Sequence, residues 1–390
     1  MTPLDDTRRR LSLTLRRTGV LLAVAAALSL AACSSSSSSG SGTASSGSAS
    51  GLSTADQAGL AKAQTFVTGA VQRPTKITDT VKITKPIPKG QTIDFIPCGS
   101  PECTLEGNIV KQAAASVGWN TVILSNDGTP QGDKAAFAQA VRNKAAAVLY
   151  TAIPASTFAS QLPALQANGT FLSTCCVTDA VGSSTGIGYL IDGPAEVGPV
   201  GGAQAAWVAA DSKDKADSVF VNIPAFAILA SQATYYKTGM ATYCPTCKVD
   251  ELDIALANLS NAPSTIVSYL RAHPSVNYVV ASTDAVTIGL PAAIKAAGLS
   301  NVKIVGQGAT PTNIQYLHSG QEAADVAFPY YEVMYSMVNA AIQDKAGMPV
   351  TPSVAPPKWL LTPQNAPTIT SQVFPVVTDY QAQYKTLWGG

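Results

Sequence analysis

Short apolar runs alternate with longer amphipathic stretches from Thr92 onward. Residues 92–97 carry Ile93, Phe95 and Ile96 and read as a buried strand, opened by a turn at Lys89-Gly90. A tight corner follows, Cys98-Gly99-Ser100-Pro101. Ser100 suits a helix N-cap, Pro101 the first helical position, and Glu102 the positive end of the helix. Leu105, Ile109, Ala113 and Val117 recur at near-helical spacing, and Gly118 supplies the stop. Much of the remaining chain repeats this strand–loop–helix unit. Strands are predicted over residues 121–125, 146–150, 170–174, 188–191, 218–223, 248–254, 277–281, 303–306 and 324–328. Helices are predicted over 134–144, 156–168, 195–211, 228–243, 263–272, 285–297, 311–319 and 332–345, with a further one ahead of them over 52–71.

Such alternation predicts an α/β fold with parallel sheets and helices on both faces. The units are too many for one compact sheet, so two similar Rossmann-like lobes are expected. In open sheets of this kind ligands bind at the carboxyl ends of the strands, which makes the 98–103 corner a candidate cleft wall. The boundaries follow: a leader over 1–32, a tether over 33–51, and a helix with a proline-broken lead-in over 52–90. The first lobe takes 91–192 plus 329–356, and the second 193–328 plus 357–390.

Composition narrows the chemistry. Of 390 residues 46% are hydrophobic and 13% charged, with two histidines and a formal net charge of +1. Taking the leader's five arginines and two aspartates from 25 basic and 24 acidic residues leaves 20 against 22, near −2. No basic patch argues for nucleic acid. Little material is left for acid–base or metal chemistry, so no catalytic residue, metal site or cofactor is expected.

Arg8-Arg9-Arg10 and Arg16-Arg17 precede an apolar run from Gly19 to Ala32 that is short for a membrane span. Leu30-Ala31-Ala32-Cys33 resembles a bacterial lipobox, which implies cleavage before Cys33 and lipid attachment to its sulfur. Residues 34–51 are almost pure Ser, Gly and Ala and read as a flexible tether of roughly 23 Å mean reach. An anchored, extracytoplasmic protein follows from this reading, in an oxidising compartment. Six further cysteines fall in close pairs, Cys98/Cys103, Cys175/Cys176 and Cys244/Cys247, and read as disulfides. Cys244-Pro-Thr-Cys247 follows a helix and precedes a strand, which suits a structural staple rather than a redox centre. Adjacent Cys175 and Cys176 would strain the peptide between them, so exchange of partners stays open.

The chain from about Thr92 to Leu361 resembles the periplasmic sugar-binding proteins of the ribose-binding type, solute receptors of ABC importers. The resemblance rests on the first strand–loop–helix, on Asn126-Asp127-Gly128 before an Ala-rich helix, and on Ile191-Asp192-Gly193 opening a Gly-rich one. VASTDAVTIG at 280–289 and IVGQGATP at 304–311 add to it. It implies a periplasmic binding protein type I architecture with a three-strand hinge, closing on a small-molecule solute and docking on an ABC permease as a monomer. The departures are informative. An Asp-Arg pair is usual where Cys175-Cys176 stand, an Asp where Gln307 and Gly308 stand, an Arg near Thr234–Tyr236, and a hinge Gln where Phe328 stands. Asp284 keeps the acidic character usual at its place.

An unpaired buried hydroxyl costs on the order of 1–3 kcal/mol, so loss of three charged partners argues against an ordinary pentose. A ligand less hydroxylated than ribose, or aromatic, is expected. Candidate contacts are Asp284, Gln307, Tyr236, Phe226, Phe328, Asp192 and Ser100, with Tyr330 and Tyr331 as further aromatics. Asp284 also suits a helix cap, Tyr236 a core, and Asp192 hinge packing. The four tryptophans read as core or lobe-surface residues, and His273 and His318 as surface residues. Two other functions are compatible with the chain: a sensory module feeding a membrane kinase, and a lipid-anchored enzyme. The second lacks a Gly-rich phosphate loop and any Ser/His/Asp grouping.

Overall fold

The computed structural model describes residues 52–353, 355–368 and 372–389. The leader, Cys33 and the tether lie outside them. In chain order the elements are α1 (Thr54–Ala70), β1 (Thr92–Ile96), α2 (Pro101–Ser116), β2 (Asn120–Ile123), α3 (Pro130–Asn143), β3 (Ala147–Thr151), α4 (Leu162–Ala167), β4 (Phe171–Cys175) and β5 (Ile187–Ile191). Then come α5 (Pro194–Ser212), β6 (Asp217–Asn222), α6 (Leu229–Tyr243), β7 (Lys248–Asp253), α7 (Ala262–Ala272), β8 (Tyr278–Ala281) and α8 (Leu290–Ala296). The chain closes with β9 (Lys303–Gly308), α9 (Pro311–His318), β10 (Ala324–Ala327), α10 (Tyr330–Lys345), β11 (Trp359–Leu361) and α11 (Tyr380–Leu387).

The first sheet has the order β2-β1-β3-β4-β5 and is parallel throughout. Its central strands are apolar on both faces, because both are covered. Ile93, Phe95 and Leu149 join the core under α2 and α10, while Ile96, Val148 and Tyr150 join the one under α3. Each fully buried side chain of this size contributes about 1.5–3 kcal/mol of burial free energy. The second sheet has the order β11-β10-β9-β8-β6-β7. Phe220 and Val280 face α5 and α6, and Val219, Val221 and Ala281 face α7 and α8. Two lobes built from strand–helix repeats are therefore present, as the alternation predicts.

The differences have local causes. The predicted helix over 156–168 divides into a 3₁₀ turn and α4, since Pro163 enters the first turn of α4 and can donate no backbone bond further back. The helix over 285–297 divides at Gly289, whose φ of +80° breaks the helical path. The sheets are not wholly parallel: β11, three residues inside a proline-rich segment, pairs antiparallel with β10. The tail does not stay with the second lobe. Tyr380, Tyr384 and Leu387 of α11 bury against α10 in the first lobe's core, while Phe374 and Val376 remain in the second's.

The chain passes between lobes at 192–194, at 328–330 and between α10 and β11, the three crossings the resemblance implies. Two more occur among the described residues. From α1 on the second lobe the chain runs to Ile77 and Ile83 in the first, and from β11 it returns to α11. Side chains tie the crossings together. Lys358 Nζ lies 2.6 Å from Asp192 Oδ1, and Ser353 Oγ donates to Glu196 Oε1 at 2.6 Å.

Candidate functional site

A cleft opens between the lobes at the carboxyl ends of β1, β3, β4, β5, β6, β8, β9 and β10, with a cavity volume of about 100 Å³. Three neighbouring strands of the first lobe end alike. Ala152, Cys176 and Asp192 directly follow β3, β4 and β5, and all three hold positive φ, at 55°, 65° and 55°. Non-glycine residues seldom adopt that conformation, and such residues gather at ligand sites. All three line the cleft.

The β1–α2 corner forms one wall. Gly99 makes it possible: with φ at +87°, a Cβ there would meet the Cα of Gly128 at 2.4 Å. A disulfide joins Cys98 to Cys103, with Cα atoms 5.6 Å apart, and clamps the strand end to the first helical turn. Ser100 stands at the N-cap position, yet its hydroxyl makes no cap bond and instead donates to Glu102 Oε2 at 2.8 Å. Glu102, Cys103 and Glu106 lie on one face of α2 and point into the cleft. Glu102 Oε1 also accepts from Thr283 Oγ1 at 3.1 Å, a bridge from one lobe to the other.

The opposite wall is largely apolar. Val197 and Val200 come from α5, Ile223 and Phe226 from the loop after β6, Leu229 from the start of α6, and Phe328 from the hinge. Phe328 meets Tyr330 edge to face at 4.8 Å between ring centres. Gln232, Thr283 and Gln307 are the polar members on this side.

Of the predicted contacts, the structure brings Ser100, Asp192, Phe226, Gln307 and Phe328 together in this cleft, with Tyr330. It does not bring Tyr236 there. That ring is fully buried in the core beneath β6, and its hydroxyl donates to Ser218 Oγ at 2.9 Å. Tyr331 packs against Tyr380 of the tail. Asp284 also lies behind the wall, between the cleft residues Thr283 and Ala285. Its Oδ1 accepts from Gln307 N and its Oδ2 from Thr310 N, at 3.2 and 2.8 Å, so it fastens the loop after β9. Glu322 and Asp325 join it in a fully buried group, with one oxygen of each within 4.8 Å of the others. Burial first, and mutual repulsion after it, push the carboxyls of Glu322 and Asp325 well up, and burial pushes Asp284 up as well.

The cysteines divide. Cys98–Cys103 and Cys244–Cys247 are bonded. Cys175 and Cys176 are free thiols, with Sγ atoms 2.8 Å apart, which corrects the expectation of three bridges. Cys175 ends β4 inside the core under α10, and Cys176, with φ at 65°, follows it at the edge of that core and lines the cleft.

Two site residues escaped the sequence reading in part or whole. Glu102 was legible only as a helix-dipole residue. Glu106 sits beside the apolar stripe of α2, where a carboxylate at 4% exposure is out of place, and that mismatch was the available signal. Its Oε2 has no hydrogen-bond partner, and burial pushes its carboxyl up to about 8. Among the described residues no lysine or arginine lines the cleft.

The model of the periplasmic binding protein domain matches residues 103–347, and the chain belongs to this family. No curated protein matches the sequence. Solved structures share the fold at low identity. A protein from Mycobacterium smegmatis in complex with β-D-fucofuranose is 18% identical, with 76% of this chain and 96% of that one covered and a TM-score of 0.62. An ABC transporter solute-binding protein from Agrobacterium vitis, bound with α-D-tagatopyranose, is 18% identical over 70% and 95% of the two chains, with a TM-score of 0.63. One from Bacillus halodurans with bound myo-inositol is 16% identical over 76% and 99%, with a TM-score of 0.60.

Proposed function

We propose that this chain is the extracytoplasmic solute receptor of an ABC-type importer, held to the membrane by a lipid on Cys33 and closing its lobes on a small molecule. The observation that carries this reading is the cleft itself. It sits between two hinged lobes at the strand ends, apolar in the main, with a few convergent polar groups. The crossings at 192–194 and 328–330 supply the hinge, and ligand contact with both walls favours the closed form. Glu102–Thr283 is one bond that spans the lobes.

The ligand is a small molecule with fewer hydroxyls than the fucose, tagatose and inositol held by the similar structures. Beside its few polar groups the cleft offers Phe226, Phe328 and Tyr330 and an aliphatic wall, surfaces that pair no hydroxyl of a polyol. A thermal-shift screen of sugars, polyols, amines and aromatic acids tests this, because a ligand that binds only the folded chain raises its melting temperature by mass action. A shift from weakly hydroxylated compounds is expected. Tight binding of ribose or galactose contradicts the ligand assignment.

A further inference from the structure

We propose that the ligand of this cleft is a small organic cation, an ammonium group on an apolar body, with Glu106 and Glu102 receiving the charge. The inference rests on the receptor reading above and names its ligand class. Three carboxylates line the cleft: Glu102, Glu106 and Asp192. Asp192 is already neutralised by Lys358 at 2.6 Å. Glu102 accepts from Ser100 and Thr283, so part of its capacity is taken by neutral donors. Glu106 is different: it lines the cleft, it is buried, and nothing in the protein bonds to its Oε2. A buried acceptor without a partner is costly unless a ligand supplies the donor. Glu102 and Glu106 are one helical turn apart, so a single N–H₃⁺ group can reach both.

The walls around this pair suit the rest of such a molecule. Phe226, Phe328 and Tyr330 present ring surface, which attracts a cation as well as covering an apolar body. Val197, Val200, Ile223 and Leu229 make the wall mainly aliphatic, with Gln232, Thr283 and Gln307 as its neutral polar groups. An anion would meet two carboxylates and no free cation among the described residues. A neutral sugar would bring no charge to Glu102 and Glu106 and would set hydroxyls against the aliphatic wall.

A proton accompanies binding. The groups around Glu106 are Glu102 on its own helix, Thr151 at the end of β3, Cys175 at the end of β4, Cys176 directly after it and Tyr330 of α10, with Asp192, paired to Lys358, lining the same cleft. In the empty cleft burial keeps Glu106 largely protonated at neutral pH. An ammonium group beside it favours the charged form, so its proton leaves to solvent as the cation binds. Affinity then strengthens as pH rises from 6 to 8.5.

The test is isothermal titration of the dialysed protein with 2-phenylethylamine, its neutral isostere 2-phenylethanol, the anion 3-phenylpropanoate, and D-ribose. The amine is expected to bind at least tenfold more tightly than the other three, with affinity rising from pH 6 to 8.5. Glu106→Gln keeps the shape and removes the charge, and should weaken the amine about tenfold or more. Glu102→Gln serves the same purpose if Glu106→Gln fails to fold by circular dichroism. Equal or tighter binding of the alcohol or of ribose overturns the cationic assignment and leaves the receptor reading standing. Amine binding unchanged in the charge-removing variant also overturns it. Binding of none of the four overturns the cationic assignment, and the receptor reading falls with it only if whole-cell extract also fails to raise the melting temperature.

Discussion

Side-chain direction decides which residues meet the cleft, and it is the least legible property of the sequence. Tyr236 and Phe226 both read as candidate contacts, one on a helix and one just before it. The helix turns Tyr236 inward, against Phe220 and Ser218, while the loop leaves Phe226 at the wall. Nothing in the local sequence separates the two outcomes. Asp284 was recognisable by position but not by role, because its partners Gln307 N and Thr310 N lie more than 20 residues away. Tyr236→Phe checks the core assignment. It should lower stability by about 0.5–1.5 kcal/mol through loss of one buried hydrogen bond, with ligand affinity unchanged. Urea unfolding and a titration on the same sample measure both, and a tenfold change in affinity contradicts the burial of this ring.

At the scale of elements, periodicity carries most of the information. Runs such as residues 92–97 and 278–281 read directly as strands because both faces of each sheet are covered. β11 escaped because three residues among prolines make no pattern, and the tail's return to the first lobe depends on tertiary packing alone. Helix packing adds a constraint that composition hints at. Gly201 of α5 sits against α6, where a Cβ would meet Gln232 O at 2.1 Å, whereas Gly202 beside it has open space. Gly201→Ala should cost about 1–3 kcal/mol through forced separation of the helices. Gly202→Ala should be neutral or stabilise by roughly 0.5–1 kcal/mol. Denaturation midpoints of the pair distinguish packing from helix propensity. The clamp at the cleft rim has its own test. Replacing Cys98 and Cys103 together by serine should lower stability by about 2 kcal/mol for so short a loop, read by melting without reductant.

Over the whole molecule, the two-lobed architecture and the location of the cleft were legible from strand–helix alternation and the rule of strand ends. The electrostatic character of the interior was not, since it depends on which carboxyls are sealed off together. Burial raises Asp94 to about 6, Glu332 to about 7 and Glu106 to about 8, and lifts the Asp284, Glu322 and Asp325 group as well. In the unfolded chain these groups titrate near pH 4, roughly. Between the two values the folded state holds more protons, so stability is full below the unfolded pKa and is lost as pH rises through the folded ones. The ligand-free protein should therefore resist urea better at pH 5 than at pH 8.5, with each unit of pKa difference worth about 1.4 kcal/mol. A midpoint that rises with pH over this range contradicts the burial of these carboxyls. Native mass spectrometry tests the account of a cleft receptor most directly, on the wild-type chain and on Ala285→Trp, in which an indole fills the cleft. After incubation with whole-cell extract, the wild type should carry one non-covalent small molecule and the variant none. A bare wild type, or the same adduct on both proteins, would contradict it.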